Sequence, residues 1–338
     1  MHIWKRAAAC IAAGLLFASS ASAETTLHIT FAGDCTLGSE EAMRNQASSF
    51  VSTITREGYD WPFANMQELF QNDDLTVVNL EGVLSDSNKQ ENKKKTFRFR
   101  GPTDYVNILT RSGIEAVNLA NNHTQDFGKQ GFTSTQQTLD AAGIGYFGGR
   151  TYYVWEKNGI KIAFFGMGST GFNGNKKWAK EEIARLKRDE GVDAVVFTFH
   201  AGQEYGKHRL QRQVDFAQYV IDAGADLVVG HHSHRINPIE EYKGKYIVYS
   251  LGNFCFSGNK NPSDMSSFMF QMRWRVKDGV VTQDAWRIIP IRISSRTDYN
   301  DFTPTVLTKA TSIDSLLLTL KENGKKLDNP VTEYPLEW

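Results

Sequence analysis

Cysteine is scarce here: the 338 residues hold three, and one of these, Cys10, lies in the first 23. If that leader is removed, only Cys35 and Cys255 remain, so one disulfide at most is possible. Two thiols in a domain of this size are read as buried and free. Charge of one sign is also lacking, since 38 Lys and Arg balance 38 Asp and Glu. The chain therefore offers no electrostatic footprint for nucleic acid. No apolar run approaches the roughly 20 residues of a membrane span. Internal repeats and Pro- or Gly-rich linkers are missing as well, which favours one domain.

What is present is a globular balance of 41% apolar and 22% charged residues, with aromatics at 12% favouring a sheet-rich interior. Residues 1–23 form a separate object: Lys5 and Arg6, an apolar run from Ala7 to Ala18, then small residues at Ala21 and Ala23. This is the layout of a secretory signal peptide, either cleaved after Ala23 or kept as a membrane anchor, and the protein is expected to be exported and extracytoplasmic, secreted or cell-envelope associated. Loss of Lys5 and Arg6 leaves 36 basic against 38 acidic residues, a net charge of −2. Lys93-Lys94-Lys95, followed by Arg98 and Arg100, is a local basic run. It reads either as a solvated loop or as a patch that attracts an anionic substrate.

Short apolar strands alternate with amphipathic helices. Leu27–Ala32, Leu75–Leu80, Ala116–Leu119, Ile160–Gly166, Ala194–Phe199, Leu227–Gly230 and Tyr246–Leu251 read as buried strands. Phe63–Phe70, Asp104–Ser112, Gly131–Ala142, Lys177–Glu190 and Arg209–Ala223 read as helices, several closed by glycine. The alternation predicts an α/β sheet. Beyond Asn253, Ser267–Val276 and Val280–Ile293 read as antiparallel neighbours joined at Asp278-Gly279. One further helix is expected at Ile313–Leu320. The expected organisation is a leader (1–23), a main domain (24–304) and a C-terminal extension (305–338) that packs on it or trails from it.

The strand ends are unusually polar. They deliver Asp34, Glu81, Asn122-His123 with Asp126, His200 with Glu204-Tyr205, and His231-His232-Ser233-His234. Ligands in open α/β sheets gather beyond the carboxyl ends of strands. Singly, each residue has a bland explanation: a turn, a cap, a hydrogen-bonded core histidine. The set does not, because three of the eight histidines fall within four positions. Imidazole together with carboxylate suits Zn, Mn or Fe.

In order and wording, Gly33-Asp34, Asn79-Leu80-Glu81, Asn121-Asn122-His123 with Asp126 and Gly128, His200, Gly230-His-His-Ser-His234 and Tyr249-Ser-Leu-Gly-Asn253-Phe254 resemble the capsule-synthesis (CapA-type) branch of the calcineurin-like metallophosphoesterases. The likeness covers about residues 27–256. It implies a four-layer αββα sandwich, a mononuclear or binuclear metal site, and association with poly-γ-glutamate made at the cell envelope. By position, Glu81 stands where the wider family has a bridging Asp. Asn122, His200 and His232 match the ligands of one ion, and Asp34 and His234 those of the other. His123 matches the histidine that protonates a leaving group, with Asp126 beside it. Arg100, in the motif Phe99-Arg-Gly-Pro102, reads either as a grip on a polymer carboxylate or as a surface loop arginine, and Glu204, Tyr205 and Asn253 match positions that would meet substrate. One departure stands out: the wider family's Asp-x-His is here Asp34-Cys35-Thr36. The implied cofactor is therefore one tightly held divalent ion (Mn, Zn or Fe) with a weaker second.

Two functions of different class follow. One is a metal-dependent hydrolase or transferase acting on an anionic polymer or peptide such as poly-γ-glutamate, associated with membrane capsule-synthesis machinery. The other is a binding or assembly protein for that polymer which keeps the fold without turnover.

Overall fold

The computed structural model describes residues 24–168, 174–207, 210–277 and 280–338. The expected leader, the Asp278-Gly279 turn and Arg209 lie outside them. Sixteen strands are named in chain order: β1 (Thr25–Thr36), β2 (Leu75–Leu80), β3 (Val83–Leu84), β4 (Arg100–Gly101), β5 (Ala116–Asn118), β6 (Gly145–Phe147), β7 (Tyr153–Lys157), β8 (Ile160–Gly168), β9 (Ala194–His200), β10 (Leu227–His231), β11 (Ile239–Tyr242), β12 (Lys245–Val248), β13 (Asn253–Phe256), β14 (Ser266–Lys277), β15 (Val280–Arg292) and β16 (Thr305–Val306). Two large sheets result. One runs β16-β15-β14-β1-β2-β5-β6, with β13 paired to the end of β1; the other runs β11-β12-β10-β9-β8-β7.

The period of two in a strand decides the layering. In β2, Leu75 and Val77 face one core while Val78 and Leu80 face another; in β9, Val196 and Phe197 divide in the same way. Leu27, Ile29 and Phe31 meet Ile162, Phe164, Val196 and Val229 in a core between the two sheets. The outer face of the first sheet is covered by Phe50–Glu57, Gln67–Gln71, Val106–Ser112 and Gly128–Ala142, through Phe50, Ile54, Phe70, Leu109 and Leu139. The outer face of the second is covered by Lys176–Asp189 and Gln211–Asp222, through Ile183, Leu186, Phe216 and Val220. Helix, sheet, sheet and helix make four layers, the αββα sandwich that the resemblance implied. The C-terminal segment packs on it: β16 joins β15, and the helix Ala310–Gly324 sends Leu316 and Leu320 into the inter-sheet core. No helix among the described residues is long and apolar enough to cross a membrane.

Most boundaries match the sequence-based expectation. The omissions are short or atypical: the helix Phe50–Glu57 and strands β3, β4, β6, β7, β11, β13 and β16, while the expected helix over Phe63–Phe70 is found only at Gln67–Gln71. The expected strand over Tyr246–Leu251 is β12, Lys245–Val248, and the chain then turns at Gly252 (φ +81°) into β13.

β1 shifts register with β2 between Phe31 and Asp34, and beyond Phe31 its neighbour on the other edge changes from β14 to β13. There the Asp34 N–H donates to Gly252 O at 3.0 Å. A Cβ on Gly33 would lie 2.1 Å from that same carbonyl. Gly33 therefore permits the strand crossing that seats Asp34. Gly33→Ala is expected to destabilise the fold by about 1–3 kcal/mol, the usual cost of overpacking, read by denaturant melts.

Cys35 and Cys255 are free, fully buried thiols packed on the helix-covered side of the first sheet. Alkylation after unfolding without reductant is expected to add two labels. A mass about two hydrogens low with no label would show a disulfide instead.

Candidate functional site

The apolar stripes that face the inter-sheet core become polar at the carboxyl ends of their strands. In β2 the stripe Leu75-Val77 continues as Asn79 and then Glu81. In β5 Ala116 is followed by Asn118, and in β9 Val196 by Thr198 and His200. In β10 the stripe Leu227-Val229 continues as His231. The site is thus the polar end of the central core, which explains its burial. Asp34, Glu81 and His200 are fully buried, His231 is 4% exposed and His123 6%.

Asp34, Glu81 and His200 each place one donor atom within 4.8 Å of the others. Around Glu81 lie His200 Nε2 at 3.4 Å, His123 Nε2 at 3.8 Å and His234 Nε2 at 4.0 Å. His200 Nε2 also lies 2.7 Å from Asn122 Oδ1 and 3.0 Å from His232 Nδ1. Around Asp34, His234 Nδ1 is 3.1 Å from Oδ2 and His231 Nδ1 is 3.4 Å from Oδ1. Asn122, His200 and His232 therefore gather on one side of Glu81, and Asp34 and His234 on the other.

Asparagines hold the cluster. Asn79 donates to Asp34 Oδ1 at 2.8 Å and lies 3.2 Å from His200 Nδ1. Its own carbonyl accepts from Asn118 at 3.0 Å and Asn121 at 3.2 Å. Asn253 Oδ1 accepts from His234 Nδ1 at 2.8 Å, so it positions a histidine and is buried. His232 and His234 both take positive φ, +96° and +53°, the backbone kink that turns both rings inward.

Neither oxygen of Glu81 makes a hydrogen bond, nor do Asp34 Oδ2 and His231 Nδ1. Buried orphan donors and acceptors of this chemistry fit a divalent cation. The charges respond to one another in its absence. Burial pushes the Asp34 carboxyl up, but the His231 and His234 rings beside it and the nearby imidazole charge hold it well below the usual range. For Glu81, burial and the Asp34 charge push up, and His234 and His200 outweigh them. Burial lowers the His234 pKa, yet Glu81 and Asp34 prevail and raise it to about 9. Burial and the adjacent His200 drop His232 to about 4.

His123 stands at the edge of the cluster. Its Nδ1–H donates to Asp126 Oδ2 at 2.7 Å, and Nε2 faces Glu81. Asp126, fully buried, also accepts from the Phe99 N–H at 2.9 Å and pairs with Lys95. Phe99 packs on the His123 ring, with centroids 4.8 Å apart. Lys95 ties in the loop by donating to Asn122 O at 2.6 Å. The basic run thus supplies a structural lysine, which neither sequence-based reading of it foresaw.

Arg100 requires a correction. It is buried at 7% exposure, and its guanidinium donates to Glu41 Oε1 at 2.6 Å and Ser85 O at 2.7 Å. Its Nε, Nη1 and Nη2 thus each have a partner within the chain, and its burial leaves little of it to meet a substrate carboxylate. Glu204 is exposed on the loop after β9. Tyr205, 58% exposed with φ +61°, stands on the rim, its ring 6.0 Å from His234 and under the Arg235 guanidinium at 5.1 Å. Thr36, where an imidazole is missing, turns its hydroxyl to Ser257 Oγ at 2.9 Å. Sequence reasoning placed Asn79 and His231 in its motifs but gave them, and Asn118, no role in the site. Their period-two alignment with core residues was the available signal.

Residues 28–258 match the family model "Bacterial capsule synthesis protein PGA_cap". The "PGA biosynthesis protein CapA" of Bacillus subtilis (strain 168) is 32% identical over 253 residues, 69% of this chain and 64% of that protein. The "Capsule biosynthesis protein CapA" of Bacillus anthracis is 28% identical over 245 residues, 65% of this chain and 60% of that protein. The matches thus span under two-thirds of the length of these relatives. Among solved structures, the calcineurin-like phosphoesterase YfkN from Bacillus subtilis aligns over 90% of this chain and 100% of that chain, at 17% identity and a TM-score of 0.48. On the strength of the family match over most of its length, this chain belongs to the bacterial capsule synthesis protein (PGA_cap) family.

Proposed function

We propose that this is an exported, metal-dependent hydrolase or transferase acting on an anionic cell-envelope polymer, with poly-γ-glutamate the first candidate. The observation that carries this reading is the pair of buried carboxylates, Asp34 and Glu81. Their unpartnered oxygens are ringed by five imidazoles and the Asn122 carbonyl. The relatives' printed names supply the polymer: both speak of capsule or PGA biosynthesis. A place beside membrane capsule-synthesis machinery is part of the same reading.

Asn122, His200, His232 and Glu81 would hold one ion, of Mn, Zn or Fe. Asp34, His234 and Glu81 would hold a second, more weakly. Bound there, such ions polarise the scissile group and lower the pKa of a bound water. The chain's own contribution is the His123–Asp126 pair. The Asp126 carboxylate, fixed by Lys95 and the Phe99 N–H, orients the imidazole by its Nδ1–H and leaves Nε2 toward the cluster. A proton on Nε2 is then positioned for a leaving group. Phe99 covers one face of the ring and keeps water from it. On the rim, Tyr205 and Glu204 would meet the polymer outside the centre.

The test is elemental analysis of purified protein reloaded with Mn or Zn, followed by incubation with poly-γ-glutamate and with a generic phosphodiester. At least one tightly held ion and polymer turnover are expected. No ion after repletion would end the metal-centre reading. Metal and polymer binding without turnover would favour the assembly role. His232→Ala should sharply lower affinity for the first ion, and His123→Ala should cut turnover about 10²–10⁴-fold while metal content stays unchanged.

A pH effect follows for the metal-free protein. The His234 pKa is raised from an unfolded value near 6.5 to about 9. Its proton therefore stabilises the fold fully below pH about 6.5, and that contribution is lost as pH rises through about 9. The melting temperature of chelated protein should fall across this window. Metal-loaded protein should not show the fall, because the ion supplies the compensating charge.

A further inference from the structure

Within the metal-centre reading above, on which this step rests, the Asp34 side has a deficit: Thr36 stands where the wider family has an imidazole. We propose that His231 makes good that deficit, acting as a ligand with Asp34, Glu81 and His234 for the second ion.

Four observations converge on it. His231 ends the β10 stripe Leu227-Val229-His231, so the pleat aims it at the end of the inter-sheet core, where Asp34 lies. It is 4% exposed, and its Nδ1 has no hydrogen-bond partner. A core histidine kept for packing would have one. Its Nδ1 lies 3.4 Å from Asp34 Oδ1, an oxygen already accepting from Asn79 at 2.8 Å. That separation is long for a hydrogen bond, which favours about 2.7–3.2 Å. It equals the edge of a tetrahedron about a Zn ion with ligands at about 2.1 Å, which is about 3.4 Å. His200 Nε2 and Glu81 Oε1, on the other side, show the same 3.4 Å.

The other neighbours are committed elsewhere. The Thr36 hydroxyl accepts from the Ser257 N–H and pairs with the Ser257 hydroxyl. The Cys35 side chain packs on the opposite face of β1, among the residues beneath the helices. With His231 the second ion has two imidazoles and two carboxylates, a complete set of four for Zn.

The experiment titrates chelated wild-type, His231→Ala, His231→Asn and Thr36→Ala protein with Zn and with Co. Stoichiometry is counted by elemental analysis, affinity is measured by calorimetry, and the Co visible spectrum reports the nitrogen ligands. Wild type and Thr36→Ala should take two ions. Both His231 variants should keep the first ion, which also reports an intact fold. They should bind the second more than 100-fold more weakly, beyond the about 10–100-fold that loss of a mere orienting partner costs. The spectral band of the second Co should be absent or altered. Retention of the second ion within 100-fold in the His231 variants, or its loss in Thr36→Ala, would overturn the proposal. A wild type that takes a single ion would overturn it too, while leaving the first ion's centre in place. A wild type that takes none would overturn the metal-centre reading itself.

Discussion

Two carboxylates, Asp34 and Glu81, are withdrawn completely from water and set side by side. An unpaired buried carboxylate carries a penalty of several kcal/mol, and the second is made worse by the first. The fold must therefore bring positive charge to the same place. In the metal-free chain that demand falls on the histidines and is visible in His234, driven to hold its proton up to about pH 9. A divalent cation meets the demand better, because it answers both carboxylates at once and lets the imidazoles revert to neutral ligands.

The architecture that makes this arrangement affordable is the sandwich itself. Two sheets packed face to face exclude water along their whole interface, and the strands' apolar residues hold them together. At one edge the same inward positions become Asn, Asp, Glu and His. The centre thus inherits the dryness of the core without a separate cavity to build. The asparagine array of Asn79, Asn118 and Asn121 then does locally what apolar packing does elsewhere. It fixes side chains in single orientations by satisfying amide groups against one another. Asn79, bonded to Asp34 and adjacent to His200, couples one half of the centre to the other.

The sequence made the fold class and most site residues legible for a simple physical reason. Central strands buried on both faces read as unbroken apolar runs, so a polar residue at their ends stands out. What it hid follows from the same logic. Strands β6 and β13, of three and four residues, carry too little pattern to be seen. His231 was masked because it adjoins His232 and His234, and only its parity with Leu227 and Val229 separates it from a linker. Arg100 looked like a substrate grip because its motif is local. Its partner Glu41 lies 59 residues away and is joined to it only by the fold.

That last case bears on how an anionic chain would be drawn to the site. Of the basic run, Lys95 is paired with Asp126, Arg98 with Glu91 and Arg100 with Glu41. On the other rim Arg235 lies over Tyr205 and faces Asp264 at 3.5 Å. These cations hold loops in place around the centre, and their charge is largely neutralised before a ligand arrives. The overall charge of the chain gives no long-range attraction either. Of the same run Lys93 and Lys94 stay exposed, and ions held in the centre would add charge beyond what Asp34 and Glu81 cancel. Occupancy of the second ion position would then add to substrate capture as well as to chemistry, since one ion's two charges are already balanced by the two carboxylates.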